Sequence, residues 1–152
     1  TLRTGVVLPL TTSATGLAFS AFYRSPYLKK MLDAEVQATA EAAGKTSAEV
    51  MSTLTLQLED IRRDGMSRAA GSMTPGINGV SAPVFGHTGR MVAALTALGV
   101  VGSFDVELDS SIAQGTREAA ATLSRRLGYG SSDGAAGEQA TAAVSAAPQV
   151  SR

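Results

Sequence analysis

Asp64-Gly65 divides this chain into two parts that space their apolar residues differently, and no single kind of secondary structure accommodates both. Before it, Val50, Leu54, Leu58 and Ile61 recur at every third or fourth position, the stripe of one helix face. After it, the runs 77–85 and 90–99 flank Gly86-His87-Thr88-Gly89, a turn-rich tetrapeptide between β-prone segments and the mark of a hairpin. Strands joined by a tight turn pair antiparallel. Helices followed by such strands, with a last helix after them, make the fold class α+β.

Local signals fill in the elements. Val6-Val7-Leu8, ended by Pro9, suits a strand. A helix is expected within 11–23, capped by Thr12 or Ser13 and burying Leu17, Phe19 and Phe22. Ser25-Pro26 places a capping hydroxyl before a proline whose missing N–H costs nothing at the first helical position. Leu28, Met31, Leu32 and Val36 continue that helix to Gly44. Thr46 and Glu49 have capping-box spacing, and Arg62 and Arg63 suit the negative end of the helix they close. The segment 66–73 reads as an edge or linking strand and 74–76 as a turn. The run 90–99 is the most apolar strand, expected at the centre of the sheet and covered on both faces. A final helix over 108–127 would bury Ile112, Thr116, Ala119, Ala120, Leu123 and Leu127, with Arg117, Arg125 and Arg126 elsewhere and Gly128 as its cap. Residues 1–129 form one domain in this reading. Beyond Tyr129 the composition turns to Ala, Gly, Ser, Gln and Thr, so 130–152 is expected to be a disordered tail.

Composition narrows the function. Thirteen basic and thirteen acidic residues cancel, leaving no overall field to draw nucleic acid or anionic lipid. The absence of cysteine removes disulfides, thiolate metal sites and thiol nucleophiles together. No apolar run is long enough to span a bilayer, and the start lacks a signal-peptide layout, which suits a cytoplasmic protein. His87 is the only histidine and falls in the hairpin turn, with no nucleophile and carboxylate arranged around it. No catalytic residue, metal site or cofactor is therefore expected. Gly71, Gly76 and Gly79 are wrongly spaced for a phosphate loop. The helices 26–44 and 46–64 are too long and too acidic for a helix-turn-helix reading unit, and suit a helical hairpin packed on the sheet.

Three stretches, in order, resemble the effector-binding domain of IclR-type bacterial transcriptional regulators, which is GAF-like. Leu8-Pro9-Leu10-Thr11-Thr12-Ser13-Ala14-Thr15-Gly16-Leu17-Ala18 is similar to the family's LPLHATAxGKALLA. Glu59-Asp60-Ile61-Arg62-Arg63-Asp64-Gly65 matches a helix end, xxIRxxGY. Pro75 to Phe85 and then Gly89 to Leu95 follow PGVxxIAAPVFDxxGRVVAALSVSG. The likeness runs over about residues 2–129. It implies an antiparallel sheet flanked by helices, with part of the sheet and a winged helix-turn-helix domain lying before this chain. One departure is a bulkier first helix, where lysine at Leu17 and a small residue at Phe19 or Phe22 would be more usual.

The resemblance also implies a site. The family's pocket lies between the sheet and the start of the helix carrying Ala14, Thr15 and Gly16, whose free amides and dipole suit a carboxylate. Members that sense small oxo-acids complete the wall with an Asp, a Cys and two Ser. The aligned residues here are Ala69, Gly79, Thr96 and Leu98, which keep a single hydroxyl. The expected ligand is therefore larger and more apolar, an aromatic or alicyclic acid, with Met66, Met73 or Met91 as adaptable lining. The expected partners are this acid effector, further copies in a dimer or tetramer, and DNA through the absent domain. A GAF-like sensor of another signalling protein, or a purely oligomerising domain, are the alternatives.

Overall fold

The computed structural model describes residues 5–71 and 75–130. Its elements run α1 (Ala14–Phe22), α2 (Pro26–Ala43), α3 (Ser47–Asp64), β1 (Ser67–Ala70), β2 (Ile77–Phe85), β3 (Met91–Val100) and α4 (Ser111–Arg126). The three strands form one antiparallel sheet in the order β1-β2-β3. The class is α+β, as the change of spacing at Asp64-Gly65 requires. The expectation of a disordered tail at 130–152 lies outside the described residues except for Gly130, and so do Met73 and Thr74.

Capping fixes the helices where the sequence placed them. The Ser25 hydroxyl caps α2 and Gly44 ends it in the left-handed region, at φ 63°. Thr46 and Glu49 form the full capping box of α3, and Gly65 ends that helix at φ 71°. Helix α1 lies within the expected span, and of the two candidate caps Ser13 is the one used.

The sheet separates two cores. On one side α1 lies on all three strands, α3 packs on α1 and α2 on α3. Leu17, Ala21, Val36, Leu54, Leu58 and Ile61 are buried together there. On the other side α4 covers Val80, Ala82 and Val84 of β2, with Met66, Ala113 and Ala120. Phe22, Phe85 and Tyr129 join the two layers at the hairpin end, with ring centroids 6.0 and 5.0 Å apart.

Three expectations are corrected. Among the described residues the central strand is β2, buried along almost its whole length, while β3 lies at the edge and is largely half-exposed. An apolar run says that a strand is hydrophobic but not where it lies in the order. Val6-Val7-Leu8 joins no ladder among the described residues, and Val7 is 85% exposed. The buried face of α4 is Ala113, Thr116, Ala120 and Ser124, while Ala119, Leu123 and Leu127 are exposed. Small residues let the helix axis approach the sheet, and that close approach rotates the larger side chains to the rim.

Pro83 sits inside the central strand without breaking the ladder. Odd-numbered β2 backbone groups turn toward β1, as the Gly71 N–H donating to the Ile77 carbonyl shows. The last β1 pair in that direction is Ser67 with Ser81, so the missing N–H falls beyond the end of β1.

Candidate ligand-binding site

The side of β2 that faces α1 carries Gly79 and Ser81, so the helix start can come close to the sheet. Ala69 pairs with Gly79 and Gly79 with Leu98, one row across the three strands. In the next row Ser67 pairs with Ser81 and Ser81 with Thr96. The first turn of α1 crosses these rows. Between them lies a small hollow of about 40 Å³, partly open to solvent, lined by Leu8, Ser13, Ala14, Thr15, Ala69, Ile77, Asn78, Gly79, Thr96 and Leu98. Among these described residues none is ionisable.

Six of the seven residues expected from the sequence line this hollow: Ala14, Thr15, Ala69, Gly79, Thr96 and Leu98. Gly16 does not. A Cβ built on Gly16 would fall 2.0 Å from the Pro9 carbonyl oxygen, so its lack of a side chain serves the contact with the preceding loop. Its amide donates to the Ser13 hydroxyl at 2.9 Å and is already satisfied. Ala14 and Thr15, which do line the hollow, are the first two residues of the helix, where backbone N–H groups have no carbonyl of the same helix to bond. Met66 and Met91 are buried but do not line the hollow, and Met73 is outside the described residues.

Hydrogen bonds hold the helix start in place from both sides. The Glu35 carboxylate, on α2, accepts from the Leu10 and Thr11 amides at 2.8 and 2.9 Å and from the Thr11 hydroxyl. Ser13 Oγ donates to the Pro9 carbonyl at 2.6 Å. From the sheet, Ser67 Oγ donates to the Ala14 carbonyl at 2.6 Å. Thr15 Oγ1 lies 2.7 Å from Thr96 Oγ1, which lies 2.8 Å from Ser81 Oγ. A line of hydroxyls thus runs from the buried middle of the sheet to the polar end of an otherwise apolar hollow. Asn78, also on the wall, spends its amide N–H on the Phe104 carbonyl at 3.0 Å.

Leu8, Ser13, Ile77 and Asn78, and Ser67 and Ser81 behind the wall, were not among the residues expected. The sequence marks Ser13 only as a candidate helix cap, which it is. Ser67 and Ser81 reach the site only through strand register.

His87 is exposed in the turn between β2 and β3. No group of three or more metal-ligating side chains occurs among the described residues, and no helix there is long and apolar enough to cross a membrane.

With this geometry established, the chain can be set beside known proteins. A family model described as the bacterial transcriptional regulator IclR C-terminal region matches residues 1–125. The crystal structure of Pseudomonas aeruginosa HmgR is similar over 86% of this chain and 50% of its own, with 32% identity and a TM-score of 0.70. Thermotoga maritima IclR matches over 84% of this chain and 50% of its own, at 26% identity and a TM-score of 0.60. The Agobacterium tumefaciens repressor BlcR matches over 85% and 51%, at 25% identity and a TM-score of 0.60. The chain spans about half the length of these structures. No curated protein gives a significant match.

Proposed function

The chain belongs to the IclR family of bacterial transcriptional regulators, as its C-terminal effector-binding part, and from that membership we propose that it senses a bulky organic acid in the hollow between α1 and the sheet. The observation that carries this reading is the gathering of Ala14, Thr15, Ala69, Gly79, Thr96 and Leu98 around one space. The closed space there is about 40 Å³, far below ordinary ligand pockets of roughly 300–1,000 Å³, so a ring-bearing acid enters only as the half-exposed Leu98 side chain swings aside. The carboxylate would lie at the Ala14 and Thr15 amides, on the positive end of the helix dipole, beside the threonine hydroxyls. The ring would lie against Leu8, Ile77 and Leu98.

In this reading the domain is a non-enzymatic, cytoplasmic part of a homo-oligomeric regulator, a dimer or tetramer. It meets DNA through a winged helix-turn-helix domain outside this sequence. The ligand acts by its difference in affinity for two arrangements of the DNA-binding heads. A tenfold difference is worth about 1.4 kcal/mol, enough to change operator occupancy.

A thermal-shift panel of aromatic, alicyclic and short aliphatic acids tests the proposal. An acid at about a hundred times its Kd raises the stability of the native chain by about 2.7 kcal/mol. The reading falls if no ring-bearing acid raises the midpoint, or if only two- and three-carbon oxo-acids do. Complete silence across the panel would favour the oligomerising role, with the hollow closed by Leu98. Leu98 Cδ2 already lies 2.8 Å from where a Cβ on Gly79 would be.

A further inference from the structure

A second groove opens where the end of α1, the start of α2 and the second half of α3 meet. It holds about 740 Å³, against about 40 Å³ for the hollow, and the two share no lining residue. Leu28, Leu32 and Leu58, half-buried or buried, make its bottom, and Arg24, Lys29 and Arg62 stand exposed around it. Its lining contains no carboxylate. The chain as a whole carries thirteen basic and thirteen acidic residues, so a groove lined by charges of one sign is a local concentration of field.

The three cations are not equivalent. Lys29 is taken by Asp33, one turn further along α2, at 3.0 Å. Arg62 donates from Nε to the Ala21 carbonyl at 2.8 Å, and its two Nη groups have no partner among the described residues. That bond fixes the guanidinium plane and leaves its outer donors unspent, so a ligand meets it already oriented. Arg24 lies between α1 and α2 and makes no hydrogen bond or ion pair among the described residues. Helix α2 starts beside it at Pro26 with no acidic residue in its first turn, so the positive end of that helix is not offset.

We propose that this groove binds a phosphate monoester with a hydrocarbon body, its phosphate between Arg24 and Arg62 and its chain along Leu28, Leu32 and Leu58. Each part of the ligand answers one part of the groove. A phosphate monoester carries nearly two negative charges and three strong acceptor oxygens, enough to engage two guanidiniums at once. The hydrocarbon body adds affinity with each methylene that leaves water. The leucines lie at the bottom of a groove and not on a crest, so the ligand enters as a single molecule and a bilayer surface does not reach them. The site does not depend on the sensing role of the hollow, and failure of the acid panel there leaves it standing.

Calorimetry on the full 152-residue chain tests it, with octyl phosphate, inorganic phosphate and octyltrimethylammonium as probes and both amphiphiles kept below micelle formation. Amide shifts in nuclear magnetic resonance locate the binding. Octyl phosphate is expected to bind about tenfold more tightly than either other probe. It moves the amides of Leu28, Leu32 and Arg62, and leaves those of Ala14, Thr15 and Gly79 in place. Arg24→Ala keeps the thermal midpoint of the wild type, because that side chain holds no other group, and loses about tenfold in octyl phosphate affinity. Lys30→Ala removes an exposed α2 cation outside the lining and leaves the affinity unchanged.

The octyl cation bound as tightly as octyl phosphate rejects recognition by charge, and inorganic phosphate bound as tightly rejects the apolar half of the site. Wild-type affinity in Arg24→Ala overturns the proposal. So does an equal loss in Lys30→Ala, which would mean general attraction to a positive surface. Shifts confined to the hollow, or binding of none of the probes, overturn it as well. Sedimentation with phosphatidylglycerol vesicles, without binding of dissolved octyl phosphate, would make this face a membrane contact and also sink it.

Discussion

Leu98 occupies the room that a side chain on Gly79 would need, with its Cδ2 2.8 Å from the position of a Cβ there. The two residues face each other across β2 and β3, so Leu98 is a movable side of the hollow and Gly79 is the gap that admits it. Leu98→Ala removes a side chain that is 46% exposed, so its cost to stability is small, about 1 kcal/mol. The same change widens the hollow and moves the preference in the acid panel toward larger rings. Gly79→Ala pushes Leu98 inward or aside and moves the preference the other way. Thermal-shift ranking of acids by size reads both, and an unchanged ranking in the two variants means that Leu98 does not bound the site.

Gly16 answers to a harder constraint. A Cβ there lies 2.0 Å from the Pro9 oxygen and 2.7 Å from Leu10 Cα, and both are backbone atoms. No rotation of a side chain relieves the clash, so either the loop before α1 or the helix itself must shift. Gly16→Ala is expected to cost about 3 kcal/mol, at the upper end for overpacking. The midpoint of urea unfolding measures it. A variant as stable as the wild type would show that the loop can withdraw freely.

Glu35 holds that loop from the other side. Its two carboxylate oxygens receive the Leu10 and Thr11 amides and the Thr11 hydroxyl. Glu35→Gln keeps the shape but turns one acceptor into an NH2 group that faces a donor. The expected loss is about 2 kcal/mol, with faster hydrogen exchange at the Leu10 and Thr11 amides. Exchange at those amides that does not change in the variant would show that the loop is held without Glu35, by Ser13 Oγ donating to the Pro9 carbonyl and Ser20 Oγ donating to the Leu10 carbonyl.

Helix ends were legible in the sequence because each is set by one or two adjacent residues: Ser25 before Pro26, Thr46 with Glu49, and the glycines at 44 and 65. The candidate wall was legible through the family likeness, which carried Ala69, Gly79, Thr96 and Leu98 as aligned positions. Strand order and register were not. Phe85 pairs with Met91, but Val84 pairs with Ala93, so Val92 is an extra residue in β3. That bulge moves the rest of the strand by one place and sets Thr96, rather than Leu95, opposite Ser81. A shift of one residue exchanges the two faces of a strand. Nothing in the residue types around Val92 announces it, so the hydroxyl chain could not be seen from spacing. Gly16 lies off the wall for a related reason. A glycine near a helix start permits close approach, and only coordinates show whether a ligand or the chain's own Pro9 makes use of it.

The capping box of α3 gives a prediction in pH. The Thr46 amide donates to Glu49 Oε2 at 2.8 Å and the Thr46 hydroxyl donates to the same oxygen at 2.7 Å. These bonds, the backbone one first, hold the Glu49 carboxyl below the ordinary carboxylate range. Folding therefore favours the ionised form. The stabilisation is complete above the value in the unfolded chain and is lost as pH falls through the lower folded value. The first turn of α3 should loosen in acid, as the pH falls below the ordinary carboxylate value and through the lower folded one, seen as faster exchange of the Thr46 amide in step with the carboxyl carbon shift of Glu49. Glu49→Gln removes the titration and flattens that dependence. A Glu49 midpoint at or above the ordinary carboxylate value would mean that the box does not persist in solution.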